Sequence, residues 1–241
     1  MPEITTYHPA GESKKIKVRN MFDGIAHKYD FLNHLLSLHI DKSWRKKAVN
    51  FLQHEHPKTI LDVATGTADF AIEALSLNPQ QITGIDISEK MLEQGKTKII
   101  KNKFENKIRL LVGDCEDLSF ANESFDAVTV GFGVRNFENL EKGLSEIYRV
   151  LKRGGTVVIL EFSIPQSFPV KQLYHFYFLK ILPFFGKVIS GHKNAYHYLP
   201  ESVKEFPAGK NFISKLAESG FVNNKCTPLT FGIASIYTGK K

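Results

Sequence analysis

The stretch Thr59-Ile60-Leu61-Asp62-Val63-Ala64-Thr65-Gly66-Thr67-Ala68-Asp69 decides the fold of this chain. A short apolar run ends at a glycine-containing turn, and Asp86 closes a second such run 20 residues after Gly66. In a doubly wound α/β sheet, ligands sit beyond the carboxyl ends of the strands. The glycine turn lets backbone approach the ligand, and an acid ~20 residues further on reaches ribose hydroxyls. The spacing therefore predicts a nucleoside-cofactor site at the carboxyl edge of a parallel sheet.

Outward from this unit, short apolar runs alternate with helical patterns. Residues 59–64, 82–87, 108–112, 127–130 and 156–162 read as strands covered on both faces. Residues 68–77, 88–100 and 140–151 read as the helices between them, with Ser88 as an N-cap. After a final helix over 210–218, stopped by Gly220, the runs 221–226 and 232–238 read as an antiparallel pair that closes the sheet. The predicted fold is α/β: a doubly wound, mostly parallel, seven-stranded Rossmann-like sheet. Residues 1–57 form an N-terminal helical cover, 58–164 the cofactor-binding core, 165–209 an aromatic helical insertion after the fifth strand, and 210–241 the closing helix and strand pair, all in a single domain.

Composition agrees with this and excludes other classes. Across 241 residues, 42% are hydrophobic and 24% charged, which rules out disorder, collagen and coiled coil. Two cysteines, Cys115 and Cys226, exclude a disulfide framework and point to a reducing, cytoplasmic setting. No secretory signal begins the chain, and the most apolar stretch, 168–190, is broken by Lys171, Lys180, Pro183 and Lys187. Residues 51–164 carry thirteen basic against seventeen acidic groups, whereas 165–241 carry ten against three. A basic, aromatic flank of this kind suits either a solvated face or an anionic surface. Histidines at 54, 56, 192 and 197 lack the spacing of a zinc site, so no metal is expected.

Charge then separates the candidate cofactors. A dinucleotide would set its pyrophosphate at a helix N-terminus over spaced glycines, but only Gly66 is present and Asp69 occupies that first turn. S-Adenosylmethionine carries a sulfonium and an ammonium instead, which Asp62 and Asp69 would favour. Gly113-Asp114-Cys115, after the third strand, offers a carboxylate and an N–H to the edges of an adenine.

These positions resemble the class I S-adenosylmethionine-dependent methyltransferases. Two segments narrow the resemblance to the ubiquinone/menaquinone biosynthesis C-methyltransferase family. They are Tyr29-Asp30-Phe31-Leu32-Asn33-His34-Leu35-Leu36-Ser37, closed by Trp44, and Arg149-Val150-Leu151-Lys152-Arg153-Gly154-Gly155, running on to Glu161-Phe162-Ser163. Gly131-Phe132-Gly133-Val134-Arg135-Asn136 matches a third family segment. The resemblance implies cofactor contacts at Thr67, Asp86, Asp114, Cys115 and Gly131, beside the Asp62 and Gly66 read from the turn itself. It also implies methyl transfer to a ring carbon of a prenylated quinol, demethylmenaquinol ranking ahead of the methoxybenzoquinol precursor of ubiquinone. Arg135, Asn136 and Tyr29 are then the expected catalytic groups, with Arg135 stabilising the quinolate. Three positions depart from the family: Ala68 where Gly is frequent, Leu32 where Met is, and Asp41 where His is, the last two bearing on substrate contacts.

A nucleic-acid methyltransferase would use the same cofactor, but no Asn/Asp-Pro-Pro-aromatic segment follows the fourth strand and neither cysteine follows a proline. A cofactor-sensing binding protein would not need Arg135-Asn136 beside the pocket. No nucleic-acid partner is expected. The aromatic insertion, with Lys171, Lys180, Lys187 and Lys193 between its rings, is expected to meet the inner membrane surface peripherally.

Overall fold

The computed structural model describes residues 12–37, 39–176 and 193–241. Fifteen elements are used below. Helices are α1 (Lys14–Leu36), α2 (Ile40–Asn50), α3 (Asp69–Ala74), α4 (Glu89–Lys101), α5 (Leu140–Val150), α6 (Val170–Phe176), α7 (Lys193–Glu205) and α8 (Lys210–Glu218). Strands are β1 (Thr59–Val63), β2 (Gln81–Asp86), β3 (Ile108–Val112), β4 (Phe125–Gly131), β5 (Leu151–Phe162), β6 (Val222–Leu229) and β7 (Ala234–Lys240).

All seven strands form one sheet in the order β3-β2-β1-β4-β5-β7-β6. The first five pair in parallel, and β7 runs antiparallel to both β5 and β6. Strand order reverses between β1 and β4, and a crevice opens at such a switch point.

Both faces of the central strands are buried, which explains their unbroken apolar runs. Leu61, Val63, Val128, Val130, Val157 and Ile159 point to one face and pack with α5 and α8. Ile60, Ala127, Val158 and Leu160 point to the other, where Trp44, Ala48 and Val49 of α2 and Phe70, Ala71 and Ala74 of α3 cover them.

Several boundaries shift for identifiable reasons. The helix read over 68–77 is α-helical only from Asp69 to Ala74 and ends as a 3-10 turn, Leu75–Leu77, closed by the left-handed Asn78 before Pro79. Strand β5 begins at Leu151 rather than Thr156, because Leu151 already pairs with Phe125 before the register slips. The last two strands lie one to three residues later than their apolar runs, since a 3-10 turn, Thr230–Gly232, takes up the link. Within the insertion, α6 and α7 are helical as expected, whereas Lys180, Lys187 and the rings between 177 and 192 lie outside the described residues.

Candidate active site

The switch-point crevice is a cleft of about 670 Å³ beyond the carboxyl ends of β1 to β4. Its floor is built by backbone that leaves β1 through an unusual turn, with φ positive at Ala64, Gly66 and Ala68. Left-handed geometry costs a non-glycine residue roughly 1–2 kcal/mol, so the glycine frequent in the family at position 68 has a physical cause. Ala68 bears that strain with its methyl buried among the α3 core residues. Gly131 and Gly133 flank the left-handed Phe132 at the end of β4. A Cβ on Gly131 would sit 2.7 Å from the Phe70 ring, and one on Gly133 would sit 2.5 Å from the Ala64 methyl. No larger side chain fits either position.

Asp86 stands half-buried in the cleft at the end of β2. Its two oxygens accept from the Gly66 N–H at 2.8 Å and the Ser88 N–H at 2.9 Å, so both are aimed. Withdrawal from water pushes the carboxyl up to about 6, against the pull of those N–H donors. Ser88 is the N-cap of α4, as its sequence predicts, with Oγ accepting from the Met91 N–H at 3.2 Å. Asp114 and Cys115 also line the cleft. Burial raises the Cys115 thiol, which excludes a thiolate nucleophile.

Three expected positions are placed differently. Asp62 is fully buried beneath the turn and accepts from Thr65 Oγ1 at 2.6 Å and Thr129 Oγ1 at 2.7 Å. It holds the turn instead of lining the cleft. The Thr67 hydroxyl also lies off the cleft, donating to Asp30 Oδ1 at 2.6 Å and accepting from Lys98 Nζ at 2.9 Å. Asp69 is ion-paired with Lys98 at 2.5 Å and Arg45 at 3.3 Å, so its charge is compensated and does not select the cofactor. Instead, the lining carries Asp86, Asp114, Glu116 and Glu138 against Lys15, an excess of negative charge that suits a sulfonium and repels a pyrophosphate.

Helix α1 roofs this cleft. Lys15, Val18, Phe22 and Tyr29 fall on one stripe of the helix and all line the cleft. Polar latches fix the roof to the loop after β3 and to α4 with its cap: Lys15 Nζ to Asp114 Oδ2 at 2.5 Å, Ser88 Oγ to Asp23 Oδ1 at 2.6 Å, and Lys98 Nζ to Asp30 Oδ2 at 2.7 Å. The sequence shows a helical cover but not these latches, whose partners lie 65 to 99 residues away.

Of the three expected catalytic groups, Tyr29 and Asn136 line the cleft and Arg135 does not. The Arg135 side chain is 6% exposed and that of Glu161 is fully buried, with Nη1 donating to Glu161 Oε1 at 2.7 Å. Glu161 also accepts from the Phe162 N–H at 2.8 Å, and the guanidinium lies over the Phe162 ring at 5.4 Å. Glu161 thus pairs with the guanidinium and compensates its charge locally. Glu161 went unassigned in the sequence, although an acid inside the run 156–162 was the available signal. Asp41, a departure from the family, is buried against Arg45 and Ser37 rather than in the cleft. The Leu32 side chain lies outside the described residues.

Among the described residues, Asp114, Cys115 and Glu116 are the one trio with metal-type donors close together. Both carboxylates already face Lys15, and Glu116 accepts from the Glu138 and Asn139 N–H groups.

A switch-point cleft, an acid at the end of β2 aimed by two N–H donors and an acidic lining fit an S-adenosylmethionine-dependent methyltransferase of the Rossmann-like class. A Thermotoga maritima methyltransferase described as a possible histamine N-methyltransferase shares the fold at a TM-score of 0.65 and 20% identity, over 92% of this chain and 99% of that one. The [4+2]-cyclase SpnF shares it at 0.67 and 13%, over 97% of each, so the fold alone does not fix the reaction. The chain belongs to the ubiE/COQ5 methyltransferase family, whose pattern matches residues 10–241. It is 50% identical to a Bacteroides fragilis demethylmenaquinone methyltransferase over 99% of this chain and 98% of that protein. It is also 50% identical to a Geotalea daltonii ubiquinone/menaquinone biosynthesis C-methyltransferase UbiE, over 93% and 96%.

Proposed function

We propose that the protein methylates a ring carbon of demethylmenaquinol, forming menaquinol. The observation that carries this reading is near-full-length identity of 50% to a demethylmenaquinone methyltransferase, with Tyr29 and Asn136 both lining the cofactor cleft. When bound, S-adenosylmethionine supplies an electrophilic methyl group on sulfur. The acceptor is a poor nucleophile as a neutral quinol. Loss of a hydroxyl proton pushes electron density onto the ring, whose carbon then bonds to the methyl as the C–S bond breaks. The ring proton afterwards moves to oxygen and restores the aromatic quinol, so one proton is released to solvent per turnover. Asp86 holds the ribose, Asp114 and Cys115 flank the adenine, and Gly131 lets the donor approach β4. Tyr29 and Asn136 touch the quinol oxygen. Arg135 acts behind them as a positioning residue.

The test is methyl-labelled donor supplied with reduced demethylmenaquinone and, in parallel, with the reduced methoxybenzoquinone precursor. Label should appear in the naphthoquinol; label in neither, but in tRNA, overturns the reading.

The quinol's prenyl tail partitions into bilayers, which bears on the insertion. Phe168, Leu173 and Phe176 are exposed around α6, and Phe31 and Phe231 are exposed nearby in α1 and the β6–β7 turn. Tyr174 of α6 packs with Ile25 and Tyr29 of the roof, so this apolar rim borders the cleft. No helix among the described residues is long and apolar enough to cross a membrane. We infer peripheral contact with an anionic surface, at the inner face of the membrane. The protein should pellet with anionic vesicles at low salt and be released as salt rises. Failure to pellet would leave the rim as a lid only.

A further inference from the structure

Helix α7 belongs to the insertion, yet it reaches the last two residues of the third family segment, Arg135 and Asn136. Tyr198 donates its O–H to Asn136 Oδ1 at 3.0 Å. One turn later on the same helix face, Ser202 accepts from Arg135 Nε at 3.3 Å and donates to the Leu199 carbonyl at 3.0 Å. Arg135 and Asn136 are adjacent in the 3-10 turn Val134–Asn136. Their other anchors come from elsewhere: Glu161 of β5 accepts from both the Arg135 N–H and its guanidinium, and Lys14 of α1 donates to the Arg135 and Phe137 carbonyls. The backbone of the turn is thus anchored outside α7, and Arg135 has Glu161 beside Ser202. The Asn136 carbonyl oxygen takes its bond from α7.

An asparagine amide presents a donor on one side and an acceptor on the other, and its orientation decides which species it stabilises. An NH2 turned to the substrate favours a quinolate oxygen. A carbonyl turned to the substrate favours the protonated hydroxyl and opposes the chemistry. Resting on the quinol-methylation reading, we propose that Tyr198 is a positioning residue. It occupies Asn136 Oδ1 and so commits the Asn136 NH2 group to the acceptor oxygen, while Ser202 fixes the register of α7 against Arg135. Burial raises the Tyr198 phenol above its ordinary range, so it remains an O–H donor at working pH.

The full chain is assayed against pH with a short-tailed, water-soluble demethylnaphthoquinol kept reduced by dithionite. Wild type, Tyr198→Phe, Asn136→Ala and the double variant are compared. Tyr198→Phe should lower kcat about 10-fold at neutral pH, the scale of one hydrogen bond to a charged group, with KM for S-adenosylmethionine unchanged. Its acid limb should move to higher pH by about one unit, because the quinolate has lost its donor. In the Asn136→Ala background, Tyr198→Phe should cost less than ~2-fold, since its only route to the substrate is gone. A limb that stays in place while the whole profile scales down would show a merely structural role and overturn the proposal. So would an equal fold-loss in both backgrounds, or a limb moving to lower pH. A wild type that methylates no quinol would bring down the substrate reading and this inference with it, whereas an active wild type with an indifferent Tyr198→Phe overturns the inference alone.

Discussion

Arg135→Ala is expected to lose about 3–5 kcal/mol of stability, the range for breaking one side of a buried ion pair. The cause is what remains. Glu161 has no exposed surface, and without the guanidinium it keeps only backbone N–H donors for its charge. For a chain of this size that loss lowers Tm by roughly 6–20 °C. Glu161→Ala should do comparable damage by stranding the guanidinium. The pair Arg135→Met with Glu161→Leu should recover most of the lost stability, because a buried pair is frequently replaceable by apolar groups of similar volume. Turnover should stay low in the double variant, since the anchor of the turn bearing Asn136 is absent. Thermal melts of the four proteins decide this: single variants that melt with wild type would remove Arg135 and Glu161 from the list of essential supports.

Asp86→Ala is expected to weaken S-adenosylmethionine binding by ~1.5–3 kcal/mol, roughly 10- to 100-fold, measured by calorimetry. Position 86 also carries a pH signature. The carboxyl of the free protein, at about 6, must be ionised to accept from both ribose hydroxyls. Affinity should therefore be constant above that value and fall as pH drops through it, approaching tenfold per unit. Asp86→Asn should flatten this dependence. The linkage to folding has the opposite sign. A carboxyl raised in the folded state above its unfolded value of 3.8 contributes stability that is fully present below 3.8 and is lost as pH rises through about 6. Asp62, raised to about 6 by the same loss of water, adds to that trend. An affinity unchanged in Asp86→Ala would remove the residue from the ribose site.

What the sequence reveals and conceals follows from the range of the interactions. Strands β1, β2, β4 and β5 are legible because burial on both faces writes itself as continuous apolar runs, and Ser88 is legible because a cap acts on the N–H three residues away. Asp86 is legible from its spacing to Gly66. The choice of S-adenosylmethionine came out right on a partly wrong charge argument. Asp69 is visible in the chain, but Arg45 and Lys98, which neutralise it, come from two other helices. The partner of Arg135 is hidden in the same way, since Glu161 lies 26 residues downstream. The three positive φ values of the turn at 64–68 leave only Gly66 as a trace, since alanine carries no outward sign of left-handed backbone.

The pairing of β1 with β4 also has consequences for how the protein comes to be folded. Ile60 meets Ala127 across the sheet, and the cleft needs Gly66 on one side of that seam and Gly131 on the other. A nascent chain that has made only β1, β2 and β3 holds Asp86 and Asp114 but no opposite wall. Helix α1 is synthesised first, yet it waits for Ser88 and Asp114 before it has anything to grip. S-Adenosylmethionine accordingly has no partial structure to bind. By mass action it stabilises the finished molecule alone.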